Sequence, residues 1–178
     1  MPDRRTAVLE AAIQLLAEGG AKGLSHRAID RALRIPLGST ANYFPTRQSL
    51  VEAILLQIEA RDLQAYHQMD PGSGLHDVDD VVATLVSFVR VAALEGGGVH
   101  TRARLALASG GGRDLSEHRR RQVAGLAELV ASVGTPDPYR VALTVSALMD
   151  GTVLHLMTGQ LELDEEATRL ALRTLLGH

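Results

Sequence analysis

Cysteine and tryptophan are absent from this 178-residue chain, and three Tyr and two Phe are its only aromatic side chains. The lack of cysteine excludes a disulfide framework and a thiol nucleophile. Aromatic content of 3% beside 46% hydrophobic residues leaves Leu, Val and Ala to build the core, which favours packed helices over a β-sandwich. No segment alternates apolar and polar residues with a strand's period of two. The glycine runs lack the Lys-Ser/Thr pair of a phosphate-binding loop, and no G-x-S-x-G turn exposes a nucleophilic serine. The histidines (His26, His67, His76, His100, His118, His155 and His178) show neither an i,i+4 pair flanking a glutamate nor a His/Cys metal spacing. Asp79-Asp80 and Glu165-Glu166 stand where helices start, and a helix N-terminus favours negative charge. They read as helix-start features rather than catalytic pairs. Neither an enzyme nor a cofactor or metal is expected. The longest apolar-rich run, residues 81–89, is too short to cross a bilayer. MPDRRTAVLE holds no signal-peptide apolar stretch before Glu10. The expectation is a soluble, cytoplasmic protein with no membrane partner.

Net charge is −3, from 18 Lys+Arg and 21 Asp+Glu, which by itself speaks against nucleic acid. The distribution is uneven. Residues 1–50 carry seven basic and four acidic side chains, and residues 51–178 carry eleven and seventeen. A basic module joined to an acidic one fits a DNA reader whose second domain has another purpose. Chance asymmetry over short segments is the plainer alternative.

The basic segment holds the sharpest local pattern, SHRAIDRALRIPLGSTANYFPTRQSL over residues 25–50. Ser25 is an N-cap, since its hydroxyl can accept from an orphan N–H of the first turn. Ala28, Ile29, Ala32 and Leu33 repeat at helical spacing. Pro36 stops that helix by pushing its predecessor out of the α region. A second short helix starts at Pro36 or Leu37 and ends before Pro45, and Thr46 caps the next. Two such helices with a tight connection form a helix-turn-helix unit whose second helix suits a DNA major groove. The other helices are expected at 3–18, ended by Gly19-Gly20, and at 47–67, 77–95, 100–108, 114–133, 138–157 and 164–176, with a loop at 70–74. The fold expected is all-α with about nine helices.

IPLGSTANYFPTRQSL, with the preceding AIDRAL, resembles the DNA-binding domain of TetR-type transcriptional regulators. The matching elements are Ile35 opening the turn, the small Gly38 inside the recognition helix, the aromatic pair Tyr43-Phe44 at its end, and Arg47 opening the next helix. The likeness runs over residues 4–55 and is architectural beyond. It implies an N-terminal three-helix helix-turn-helix domain, residues 1–46, followed by a C-terminal helical bundle for ligand binding and dimerisation, residues 47–178. Four positions depart from the family's pattern. Arg34 stands for the usual turn Gly, Asp30 for a small residue, Thr40 for an apolar one and Ala41 for an aromatic one. The first two read as variation in and before the turn. The last two change the groove-facing chemistry, so a target sequence is not carried over.

Leu37, Ser39, Thr40 and Asn42 are expected on the front of the recognition helix. Asn42 suits adenine, Ser39 a base edge, and Leu37 or the Thr40 methyl a thymine methyl. The alternative turns Thr40 and Ala41 inward and shrinks this set. The resemblance places Tyr43 and Arg47 at phosphate-contacting positions. Ser25, His26 and Arg27 open helix 2 beside the opposite backbone wall, and Arg4 or Arg5 form an arm. Phe44 and Ile35 read as core.

In the second domain, residues 141–157 are apolar almost all round, as in a helix that is central or shared with a partner. ALMDGTVLHL resembles the penultimate helix of TetR-type proteins, which implies a four-helix dimer interface holding Val141, Leu148, Gly151, Leu154, His155 and Leu170. A monomer with this helix at its centre is the alternative. Leu85, Phe88, Val89, Arg102, Leu105, Leu126, Leu129, Met149 and Val153 read as lining for a small apolar or amphipathic effector, or as plain core. Arg102, Arg104, His118 and His155 either orient that ligand or lie on solvated faces. The glycine runs at 96–98 and 110–112 are flexible joints around a short helix or loose surface loops. The function expected is a ligand-responsive regulator of transcription, a repressor that binds palindromic double-stranded DNA as a homodimer and is released by a small molecule. The alternatives are a DNA-binding dimer without an effector, and a helical enzyme or adaptor with a purely structural helix-turn-helix.

Overall fold

The computed structural model describes residues 3–69, 77–94, 98–110, 115–160 and 162–177, and the side chains of all but 65–69 among them. The expected loop at 70–74, Gly96, Gly97, Gly111, Gly112, His76 and His178 lie outside these residues, as does the side chain of His67. The described residues form nine helices and no strand: α1 Arg4–Gly23, α2 His26–Ala32, α3 Ser39–Tyr43, α4 Arg47–Met69, α5 Val78–Leu94, α6 Val99–Ser109, α7 Leu115–Ala131, α8 Pro138–Met157 and α9 Glu165–Leu176. They pack as two units, Met1–Arg61 with Val99–His118, and Asp62–Gly98 with Arg119–His178. No single helix among the described residues is long and apolar enough to cross a membrane.

In the first unit, α1 buries Val8, Leu9, Ala12, Ile13 and Leu16, the spacing of one helical face. Gly20 adopts φ 67 and breaks the helix where the sequence ends it, although one more turn reaches Gly23. α6 lies against α1, and its Ala103 and Leu107 share a core with Ile29, Phe44, Leu50, Ile54 and Ile58. At the end of α6, a Cβ on Gly110 would come within 2.7 Å of the Ala21 Cβ, so only glycine fits. The buried His118 at the start of α7 pairs with Glu59 of α4 through Nδ1 at 2.5 Å. Packing therefore divides the chain differently from the expected 46/47 boundary. Leu50, Ile54 and Ile58 lie on one face of α4 and bury with α1, which draws much of α4 into the first unit.

The second unit is aliphatic. Val81, Val82, Leu85, Val86, Val89 and Ala93 of α5 are buried with Val145, Met149 and Val153 of α8 and Leu172 and Leu176 of α9. α8 is not central. Its buried residues Ala142, Val145, Ser146, Met149 and Val153 form one face, while Leu143 and Leu154 stay 46% and 44% exposed. Ion pairs join α5 to α9 (Arg90 with Glu165, and Arg173 with Asp79 at 2.8 Å) and α7 to α8 (Arg119 with Asp150 at 2.5 Å). The Asp164 carboxylate caps α9 by accepting from the Ala167 N–H at 2.9 Å. The acidic pairs of the sequence thus serve helix starts, with Asp79 and Glu165 further engaged by arginines.

Candidate nucleic-acid interface

The turn between α2 and α3 is closed by backbone bonds. The Ile35 N–H donates to the Asp30 carbonyl at 3.0 Å, and the Arg34 N–H donates to the Arg31 carbonyl at 3.1 Å. This pair of bonds is the Schellman ending, which needs a left-handed residue at its centre and usually takes glycine there. Here that residue is Arg34, at φ 55. α2 therefore ends at Ala32, earlier than Pro36 requires. The chain then turns again through Gly38, at φ 94, so α3 starts at Ser39 rather than at Pro36 or Leu37. The Pro36 carbonyl accepts from the Ser39 N–H at 3.1 Å and from the Ser39 hydroxyl at 2.6 Å.

Two side chains of α2, one turn apart, hold the two ends of α3. The buried Asp30 carboxylate accepts from the Gly38 N–H at 2.7 Å, the Thr40 N–H at 2.9 Å and the Thr40 hydroxyl at 2.7 Å. At the other end, His26 Nε2 donates to the Phe44 carbonyl at 2.7 Å. Burial opposes ionisation of Asp30, but the bonds from Thr40 and Gly38, with His26 nearby, outweigh it and hold its pKa below the ordinary carboxylate value. Phe44 anchors the arrangement from inside the core, and the Arg5 guanidinium lies over its ring, 5.2 Å from the centroid.

The expected groove-facing set is thereby corrected. Leu37 is 64% and Tyr43 39% exposed, and Asn42 is also exposed. Ser39 is half-buried with its hydroxyl donated to Pro36. Thr40 does not face the groove. It is fully buried on Asp30, so its methyl is withdrawn from any base. Arg47 is not a free phosphate ligand either, since its guanidinium donates to the Leu24 carbonyl at 2.8 Å and the Ala21 carbonyl at 3.1 Å. It satisfies the carbonyls that the broken end of α1 leaves open. The Ser25 hydroxyl accepts from the Ala28 N–H at 3.1 Å and is an N-cap, as the sequence indicated. His26 is half-buried with Nε2 committed to Phe44. Arg27 is exposed, and so are two cations left out of the expected set, Arg31 and Arg34. The spacing of Arg27, Arg31 and Arg34, i, i+4 and i+7, was the available signal for them.

No family model matches the chain. A transcriptional regulator of the helix-turn-helix type from Escherichia coli K12, UidR, is 33% identical over 88 residues, which are 49% of this chain and 44% of that protein. The match thus spans less than half of the relative. A solved member of the TetR family from Streptomyces coelicolor A3 is 28% identical and superposes over 98% of both chains with a TM-score of 0.75. The multidrug binding protein EbrR, solved with imidazole, is 29% identical over 98% of this chain and 96% of its own, at 0.71. EbrR was also solved with malachite green and with ethidium. The chain is similar in sequence and fold to TetR-family regulators. These TetR-family relatives are regulators of transcription, not enzymes. Set against the TetR pattern, two departures explain each other. Asp30 and Thr40, ten residues apart, replace a small residue and an apolar one, and they meet as one buried hydrogen-bonded pair.

The residues expected to serve the TetR effector and dimer surfaces fall in different places. Leu85, Val89, Met149 and Val153 are buried in the second unit's cluster, with Phe88, Leu126 and Leu129 packed against it. Arg102 and Leu105 are not with them. They sit on α6 in the first unit, Arg102 exposed and Leu105 half-buried. α6 follows α1 because Ala103 and Leu107 bury there. His118 faces Glu59 rather than the aliphatic cluster. Among the dimer candidates, Leu154 is exposed and Leu170 is 67% exposed. His155 is exposed with Nδ1 on Gln160 at 2.9 Å. Val141 and Leu148 lean on the unit's own core. Gly151 is half-buried, yet a Cβ added there meets nothing within 4 Å.

Proposed function

We propose that this chain reads duplex DNA through α2, its turn and α3, works in the cytoplasm as a homodimer, and is a repressor released by a small apolar or amphipathic molecule. The observation that carries the reading is the short helix α3. Its inner side is fixed by Asp30, Thr40 and Phe44, while Leu37, Asn42 and Tyr43 are left exposed. An exposed amide suits an adenine edge, and an exposed apolar side chain a thymine methyl. Arg27, Arg31 and Arg34 supply cations for the backbone. Selection from a pool of randomised duplexes tests it. The expected result is enrichment of a two-fold symmetric sequence, with half-sites about 10 base pairs or a multiple apart. Recovery of no preferred duplex would leave only the fold.

Leu143, Ala147, Gly151 and Leu154 line the outer side of α8, and Leu170 lies on α9. Packing within the chain does not require glycine at 151, whereas a second helix crossing there would. This supports the dimer over a monomer with α8 at its centre. Leu154→Arg should place an uncompensated charge at the seam and dissociate it in sedimentation. Sedimentation of the wild-type chain as a monomer at micromolar concentration contradicts the dimer.

The effector is drawn from the second unit's lining. EbrR was solved with malachite green and with ethidium, but Phe88 is the one aromatic residue among the lining candidates here. Aliphatic walls suit an acyl or aliphatic compound better than a stacked cation. A screen of both classes by melting temperature and by release from the selected duplex separates them. If neither class acts, the DNA-binding dimer without an effector stands.

A further inference from the structure

Helix α3 cannot hold its own shape. At five residues it is little more than one turn, and an isolated turn does not stay nucleated in water. The residue before it, Gly38, has no side chain to cap it. The Ser39 N–H finds the Pro36 carbonyl, but the Gly38 and Thr40 N–H groups would be orphans without Asp30, which reaches across from α2 to take both and the Thr40 hydroxyl. The Asp30 backbone carbonyl meanwhile accepts from Ile35 and closes α2. One residue thus fixes both sides of the turn, and His26, one helical turn earlier, holds the far end of α3 at Phe44.

We infer that Asp30, with Thr40 as its ligand and His26 as the second hold, is a positioning residue for sequence readout, setting the seat from which α3 presents Asn42 and Tyr43 and the turn before it presents Leu37. The inference rests on the proposed DNA reading and adds a mechanism of discrimination to it. Asp30 touches no base. It acts through the seat of α3, and a base-edge hydrogen bond fails when its donor is displaced or tilted. Contacts to phosphate tolerate such a shift far better, because the arginines that make them are long and flexible. Loosening the seat should therefore erode discrimination between duplexes while leaving general affinity for DNA in place.

The test uses the full chain, a pool of randomised duplexes and one fixed unrelated duplex. In Asp30→Asn the affinity ratio of selected to unrelated duplex is expected to fall about tenfold or more, with affinity for the unrelated duplex changed by less than about twofold. Thr40→Val removes one of the three donors and should cost about threefold in the ratio, while Thr40→Ser keeps the hydroxyl and should restore it. Amide exchange at Gly38 and Thr40, measured without DNA, should quicken in Asp30→Asn and Thr40→Val and stay slow in Thr40→Ser. An unchanged ratio in the folded variants, or a parallel fall for both duplexes, overturns the inference and leaves the DNA reading intact. If Asp30→Asn does not fold, the Val and Ser variants of Thr40 decide the same question. A wild-type chain that enriches no duplex overturns both, and the exchange data then report on the seat alone.

Discussion

Helix α8 is twenty residues long and sinks one face, Ala142, Val145, Met149 and Val153, into aliphatic neighbours. Helix α3 is five residues long and is held by a carboxylate, an imidazole and one buried ring. Packing of the first kind is non-directional. It tolerates exchange of side chains of similar volume, at less than about 1.5 kcal/mol. Bonds of the second kind fix an orientation and fail when a donor or acceptor is misplaced. An element that must present a few side chains at a set angle is better served by direction, and one that must exclude water over a wide face by area.

Four measurements put that contrast to the test. Leu172→Ala opens a cavity in the fully buried aliphatic core and should cost about 2–5 kcal/mol by denaturant unfolding. Met149→Leu in the same core should stay under about 1.5 kcal/mol. Equal losses from both would mean that this packing is as shape-specific as the polar seat. The second measurement follows stability with pH. Folded Asp30 binds its proton less tightly than the unfolded chain does. Its contribution is therefore complete above the unfolded value of about 3.9 and is lost as pH falls through the lower, folded value. The stability difference between wild type and Asp30→Asn, read from melts between pH 2 and 7, should be flat above about pH 4 and shrink below it. A difference that grows toward acid would reverse the assignment.

Third, Arg34→Gly should raise stability by about 1 kcal/mol, because it relieves a left-handed arginine at a position suited to glycine. A loss instead would show that the arginine side chain itself holds the turn. Last, Arg173→Ala removes an exposed pair with Asp79 and should change unfolding by less than about 1 kcal/mol. A larger cost would mean that direction matters in the second unit too.

The helix succession was legible because apolar spacing, caps and breakers are local. Ser25, Gly20, Pro138 and Asp164 act where their chemistry indicates, and Phe44 is core as read. What escaped depends on pairs distant in sequence. Thr40 looked groove-facing because its helix is too short for a period to reveal the inner side, and its partner lies ten residues back on another helix. Two departures from the family's pattern at mutually facing positions were the signal, but Asp30 alone reads as variation before the turn and Thr40 alone as a change of groove-facing chemistry, with its inward turn only the alternative. Arg47 carried the look of a phosphate ligand, since an arginine at a helix start does not show that carbonyls of α1 lie within its reach. The membership of α6 escaped for a related reason. Ala103 and Leu107 mark a buried face but not the helix it meets.

The start of a helix is ordinarily the positive pole of its dipole, a ready seat for an anion. In this protein the start of α3 is already taken. Its Gly38 and Thr40 N–H groups point at a carboxylate that belongs to the chain itself, so a phosphate arriving there meets negative charge where it would elsewhere meet open donors. The open positive charge nearby is on the exposed side chains of Arg27, Arg31 and Arg34, where solvent screens it. Cations held on flexible side chains release counterions when they close on DNA. The polar seat of α3 therefore closes its own N-terminus to anions, so that an anion drawn to this surface answers to side-chain charge and to ionic strength.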